Sequence, residues 1–151
     1  MRRILVPIDG SEYSDRALLQ AEKLARAFGS RLVLLNVISV AAVIDYEVNL
    51  RIASGSTMAD WMGMVKEASA GSQKLLDETK AGLRGLDVET VVIDEPRGKI
   101  AQAIREYADK NEIDLIVMGS NGVGSLSQRL YLGSVTTKLL HTTKLPVLVV
   151  Q

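Results

Sequence analysis

The chain contains no cysteine, which excludes disulfides, thiolate nucleophiles and cysteine metal sites. Its single histidine, His141, reads as structural, because a catalytic triad needs positioned partners. One Phe, one Trp and four Tyr supply few stacking platforms for a single strand of nucleic acid. Eighteen basic residues balance eighteen acidic ones, so no net charge draws the protein to nucleic acid or to a membrane surface. No apolar run approaches the roughly 20 residues of a membrane helix. The opening MRRILVPIDG, broken by Pro7 and Asp9, does not read as a secretory signal. The expectation is a cytoplasmic protein with no nucleic-acid or membrane partner.

What is present is the composition of an ordinary globular protein, 47% hydrophobic and 24% charged over 151 residues. That length suits one domain, 1–151, and can bury a core without metal or disulfide. Ile4, Leu5, Val6 and Ile8 form a short apolar run, as does RLVLLNVI at 31–38. Both suit parallel strands buried on two faces. Between them Ala17, Leu18, Ala21, Leu24, Ala25 and Phe28 recur at helical spacing, with Ser11 or Ser14 as cap and Gly29 as terminator. From Ser39 to Gly71 the pattern loosens, because Gly55, Gly63 and Gly71 interrupt any long element. A second main helix is expected over Val65–Leu83. Met58, Trp61, Met62 and Val65 form a stripe whose helical spacing points to core or subunit packing. Asp87–Ile93 mixes polar and apolar residues as an edge strand does. A turn at Pro96–Gly98, a third helix, a strand at Leu115–Met118, a helix from Ser134 and a last strand at Val147–Val150 complete the chain. Five strands alternating with about four helices predict an α/β fold with a mainly parallel sheet.

The most informative stretch is DLIVMGSNGVGSLSQRLYLGSVTT, beginning at Asp114. A buried strand runs into Gly119, Gly122 and Gly124, and Gly133-Ser134 opens a helix. Glycines let backbone N–H groups approach a ligand closely, and a helix N-terminus favours phosphate. From Leu115 to the end there is no Asp or Glu, whereas Arg129, Lys138 and Lys144 are present. A P-loop is excluded, since no lysine lies between Gly119 and Gly133. The dinucleotide fingerprint lacks its third glycine and its ribose-binding acid. Ser120, Ser125 and Ser127 are candidate hydroxyl donors to phosphate. In open α/β sheets ligands bind beyond the carboxyl ends of strands where strand order reverses. Asp9, at the end of the first strand, is placed there to accept ribose hydroxyls or to ligate a phosphate-bound Mg²⁺. It could equally form a turn with its own backbone. Val37, ending the second strand, could pack on a base.

ILVPIDGSEYSDRAL at 4–18, GSNG at 119–122, GSV at 133–135 and LPVLVV at 145–150 together resemble the universal stress protein family across the whole chain. The resemblance implies an open, Rossmann-like five-stranded parallel sheet in the order 3-2-1-4-5, with helices on both faces. It implies ATP with Mg²⁺, contacted at Pro7, Asp9, Val37, Met118, Gly119, Gly122, Gly133, Ser134 and Val135. It also implies a homodimer formed through the last strand. The strand's unguarded apolar sequence, Val147-Leu148-Val149-Val150, agrees independently with such pairing. The family's binding branch spaces its Gly-x-x-Gly from Gly-Ser/Thr by nine residues, whereas ten separate Gly122 from Gly133 here. The expected function is an ATP-binding regulatory protein of the stress response, with at most weak ATPase activity. The alternative is a nucleotide-free dimeric interaction module of the same family. A nucleotidyl transferase or ligase would need HIGH or SGG-x-D-S motifs, and neither is present.

Overall fold

Why the chain adopts a parallel sheet is visible in its strands, which are apolar on both faces. A computed structural model describes residues 1–43, 45, 57–123 and 132–151. The described elements are β1 (Arg3–Pro7), α1 (Glu12–Phe28), β2 (Arg31–Ser39), α2 (Met58–Gly82), β3 (Val88–Glu95), α3 (Ile100–Lys110), β4 (Leu115–Gly119), α4 (Ser134–Thr142) and β5 (Val147–Val150). All pairings are parallel, in the order β3-β2-β1-β4-β5. The expected order and class therefore hold. β1 lies at the centre with Ile4, Leu5 and Val6 fully buried.

Alternation along the strands divides the core in two. Ile4, Val6, Leu32, Leu34 and Val117 face α1 and α2, meeting Ala17, Ala21, Ala25 and Leu76. Leu5, Val33, Leu35, Ile116 and Met118 face α3 and α4, meeting Ala101, Ile104, Ala108 and Leu139. Three alanines on the buried stripe of α1 let that helix lie close to the sheet, which matters for the site below. Its ends follow the expected chemistry. Ser11 accepts the Ser14 N–H at 3.2 Å, and Gly29 closes the helix in the left-handed region at φ 62°.

α2 corrects the sequence-based boundary. It runs unbroken from Met58 through Gly63 and Gly71 to Gly82. An interior glycine costs about 1 kcal/mol relative to alanine, which is too little to break a helix anchored at both ends. Thr57 and Asp60 form a reciprocal capping box at the start, with Asp60 Oδ2 accepting the Thr57 N–H at 2.7 Å. Leu76 and Leu83 bury the far end. Within the Met58–Val65 stripe Met58 and Met62 are 68% and 69% exposed, while Trp61 and Val65 are half-buried. No described helix is long and apolar enough to cross a membrane.

Candidate functional site

The order β3-β2-β1-β4-β5 means that the chain moves outward from β1 in one direction and then returns to fill the other side. The reversal opens a crevice between the carboxyl ends of β1 and β4, where ligands of such sheets bind. A cleft of about 680 Å³ lies there, within the usual range of small-molecule sites, about 300–1,000 Å³. Pro7 and Asp9 of β1 and its exit, Val37 of β2, Met118 and Gly119 of β4, and Gly122 line it. Gly133, Ser134 and Val135 complete the lining from the start of α4. Nine of the ten residues expected from sequence thus come together.

Ser120 departs from that expectation. It is buried and does not line the cleft. Its main chain holds the site instead: the N–H donates to Val150 O at 2.7 Å, and the carbonyl accepts the Gly133 N–H at 2.8 Å. Its hydroxyl accepts from the Asn121 amide at 3.3 Å. Ser125, Ser127 and Arg129 lie outside the described residues. Lys138 and Lys144 are described and exposed, but neither lines the cleft.

The glycines act through close approach. A Cβ built on Gly119 would sit 2.7 Å from the Tyr13 Cβ and 2.8 Å from its backbone carbon. Only a residue without a side chain lets β4 end against α1. A Cβ on Gly122 would lie 2.6 Å from Asp9 Oδ2. Asp9 bridges the crevice: Oδ1 accepts the Ser11 N–H at 3.0 Å and Oδ2 accepts the Val123 N–H at 3.1 Å. The turn-forming reading of this aspartate is therefore realised, and the same carboxylate also holds the glycine loop. Each oxygen keeps lone-pair capacity, and the side chain is exposed.

The two helix N-termini nearest the crevice differ electrically. α1 is capped by Ser11 and carries Glu12 and Asp15 in its first turn, which already compensate its dipole. α4 begins at Gly133 with no side-chain cap and no acidic residue in its first turn. Its first N–H groups and its dipole are left for an anion. Thr136 fixes this helix to the sheet, donating from its buried hydroxyl to Gly119 O at 3.0 Å. His141 sits on the outer part of the same helix, its Nδ1 2.7 Å from Thr137 O, and does not line the cleft.

Sequence reasoning missed Asn36, Asn121, Ser14, Thr136 and Ser72, all of which line the cleft. Asn36 carried a usable signal, a lone amide inside the apolar run RLVLLNVI. The structure orients it, since Nδ2 donates to Ile8 O at 2.6 Å. Ser72 carried none, because α2 places it there from a distant part of the chain.

Comparison with known proteins decides the family. The profile described as the universal stress protein family matches residues 1–151. The chain belongs to the universal stress protein family. A universal stress protein of Bacillus subtilis is 30% identical over 151 residues, covering 99% of this chain and 98% of that protein. The structure of the universal stress protein from Archaeoglobus fulgidus in complex with dAMP superimposes with a TM-score of 0.65 at 19% identity, covering 100% and 98% of the two chains. A universal stress protein in complex with cAMP gives 0.61 at 24% identity, covering 99% and 96%. At these identities the two structures establish a shared fold.

Proposed function

We propose that this universal stress protein binds an adenine nucleotide, ATP with Mg²⁺ in the first instance, in the cleft between β1 and β4. The observation that carries the reading is the uncapped, acid-free N-terminus of α4 facing Asp9 across a crevice of nucleotide size. Phosphates would lie against the N–H groups that begin at Ser134 and against the chain at Gly119 and Gly122, where no Cβ intervenes. Asp9 would accept from the ribose or share the metal. Among the described residues there is no cluster of three metal-ligating side chains. A Mg²⁺ here would rest on one carboxylate and on phosphate oxygens, a common arrangement for that ion. Val37 and Met118 offer apolar surface to a base. That related folds are known with dAMP and with cAMP supports adenine.

The proposed role is regulatory and cytoplasmic, in the stress response, with slow hydrolysis at most; Asp9 is the one carboxylate among the described lining residues. The whole chain serves as one nucleotide-binding unit. β5 is an edge strand whose Leu148 is 39% exposed, and its open edge suits antiparallel pairing with a second copy. Calorimetric titration of ATP with Mg²⁺ into wild type and Gly122→Val tests the site. Binding in wild type that the variant loses supports it. No binding of ATP or AMP in wild type favours the nucleotide-free dimeric module, with Asp9 closing the crevice onto Val123 and the ten-residue spacer as the cause.

A further inference from the structure

The described lining of the nucleotide cleft carries little positive charge. Among its described lining residues there is one carboxylate, Asp9, and no lysine or arginine. A nucleotide carrying several phosphates would bring more negative charge than one Mg²⁺ and one helix terminus, worth about half an elementary charge, can compensate. Cations cluster next door. A groove of about 530 Å³ runs between α3 and α4 and shares Ile100, Ser134 and Val135 with the cleft. Arg97, Lys99, Arg105 and Lys138 line it, and no carboxylate does so among the described residues.

Two of the four cations are partly engaged. Arg97 lies 3.5 Å from Glu95, and Arg105 lies 3.3 Å from Asp109. The ammonium groups of Lys99 and Lys138 make no ion pair with any described residue, and both side chains are exposed. Lys99 stands immediately before α3, and Lys138 lies one turn into α4. α3, like α4, starts without a side-chain cap and without an acid in its first turn. The acid-free start of α4 and four cations therefore border one groove and favour the same sign of ligand, while at the entry to α3 the buried Glu95 already accepts the Lys99 N–H.

We infer that the α3–α4 groove is a phosphate subsite continuous with the nucleotide cleft, taking phosphate groups beyond those held at Gly122 and Ser134. The ligand class is an adenine nucleotide with an extended 5′-polyphosphate. The same chemistry could arrive as a separate inorganic polyphosphate. The inference rests on the nucleotide reading only for the first of these sources. Arg97 and Arg105, already turned toward carboxylates, supply a positive rim. Lys99 and Lys138, free to reorient, make the direct contacts.

The test compares AMP, ATP, adenosine 5′-tetraphosphate and inorganic tripolyphosphate by calorimetry on wild type and Lys99→Gln/Lys138→Gln. Both lysines are exposed, so the variant's melting temperature should match wild type. If the groove extends the cleft, affinity rises from AMP to the tetraphosphate in wild type. The double variant then weakens the tetraphosphate by roughly three- to tenfold, as expected for two exposed charge contacts, and leaves AMP unchanged. If the phosphate arrives separately, tripolyphosphate binds wild type with AMP already present, and the variant loses that binding. Equal loss of AMP and tetraphosphate in the variant, or no loss of either phosphate ligand, overturns the inference. So does binding of poly-glutamate without any response to tripolyphosphate, which would make the groove a peptide site. Failure of AMP to bind wild type strikes the nucleotide reading alone, because the tripolyphosphate arm still decides the groove.

Discussion

Gly119 and Gly122 make a matched pair in which the same substitution, to alanine, should fail for different reasons. Neither glycine adopts the left-handed backbone; among the described residues the positive-φ glycines are Gly10, Gly29, Gly85 and Gly98. The cost is therefore steric. At Gly119 the new methyl would meet Tyr13 at 2.7, 2.8 and 2.9 Å, and two of those contacts are backbone atoms of α1. Carbon atoms pack at about 3.5–4.0 Å, so α1 would have to retreat by roughly 1 Å. It cannot do so locally, because Ala17, Ala21 and Ala25 hold it against the sheet. Overpacking of this kind costs about 1–3 kcal/mol, or roughly 3–10 °C in melting temperature for a chain of this size. At Gly122 the only clash below 3 Å among the described residues is with Asp9 Oδ2, the tip of an exposed side chain that can swing aside. The stability cost is then about one hydrogen bond, the one from Val123 at 3.1 Å, or roughly 0.5–1.5 kcal/mol. Differential scanning calorimetry with and without ATP separates the two. Gly119→Ala should melt well below wild type, whereas Gly122→Ala should melt near it and show the smaller nucleotide-induced shift. A Gly122→Ala loss equal to that of Gly119→Ala, or a neutral Gly119→Ala, would refute the steric reasoning.

Other expectations follow from the same contacts. Glu95 is buried at 6% exposure and accepts the N–H groups of Arg97 and Lys99 at the entry to α3. Glu95→Ala should lower stability by about 1–3 kcal/mol through those unpaired donors, read as a lower urea midpoint; an unchanged midpoint would mean water replaces the carboxylate. Asp114 accepts the backbone N–H groups of Arg3 at 2.9 Å and Arg2 at 2.6 Å, and these bonds hold its carboxyl below the ordinary carboxylate range. A lowered folded-state value stabilises above about pH 4, and the benefit is lost as pH falls through the folded value. The stability gap between wild type and Asp114→Asn should accordingly be present at pH 7 and close under more acidic conditions; a gap independent of pH contradicts this. Leu148→Arg places a charge on the open edge of β5 and should convert a dimer to a monomer by sedimentation, while a wild type that sediments as a monomer at every concentration removes the dimer.

Elements whose physics is local were legible in the sequence. β1 and β2 are continuous apolar runs, and Ser11 and Gly29 mark the ends of α1 by side-chain and backbone chemistry that operates within one turn. Asp9, Gly119, Gly122 and Gly133 were legible as a candidate site because each lies where a strand ends or a helix begins. α2 was misjudged at its start. Glycine propensity is a weak local term, and a capping box at Thr57 together with burial of Leu76 outweighed it. Ser120 was misplaced for a related reason: its residue type suggested a donor, but the link from β4 to β5 and α4 consumes its backbone and turns it inward.

The sequence by itself determined the alternation of strands and helices, the glycines at the end of β4, and the absence of acid from Leu115 onward. Each is a property of neighbouring residues or of composition. Only the tertiary structure decided that Asp9 reaches Val123 across the crevice, that Ser72 and Asn36 join its lining, and that Lys99 and Lys138 border one groove. These are contacts between elements brought together by the sheet order β3-β2-β1-β4-β5, and parallel packing places residues remote in the chain side by side at one end of the sheet.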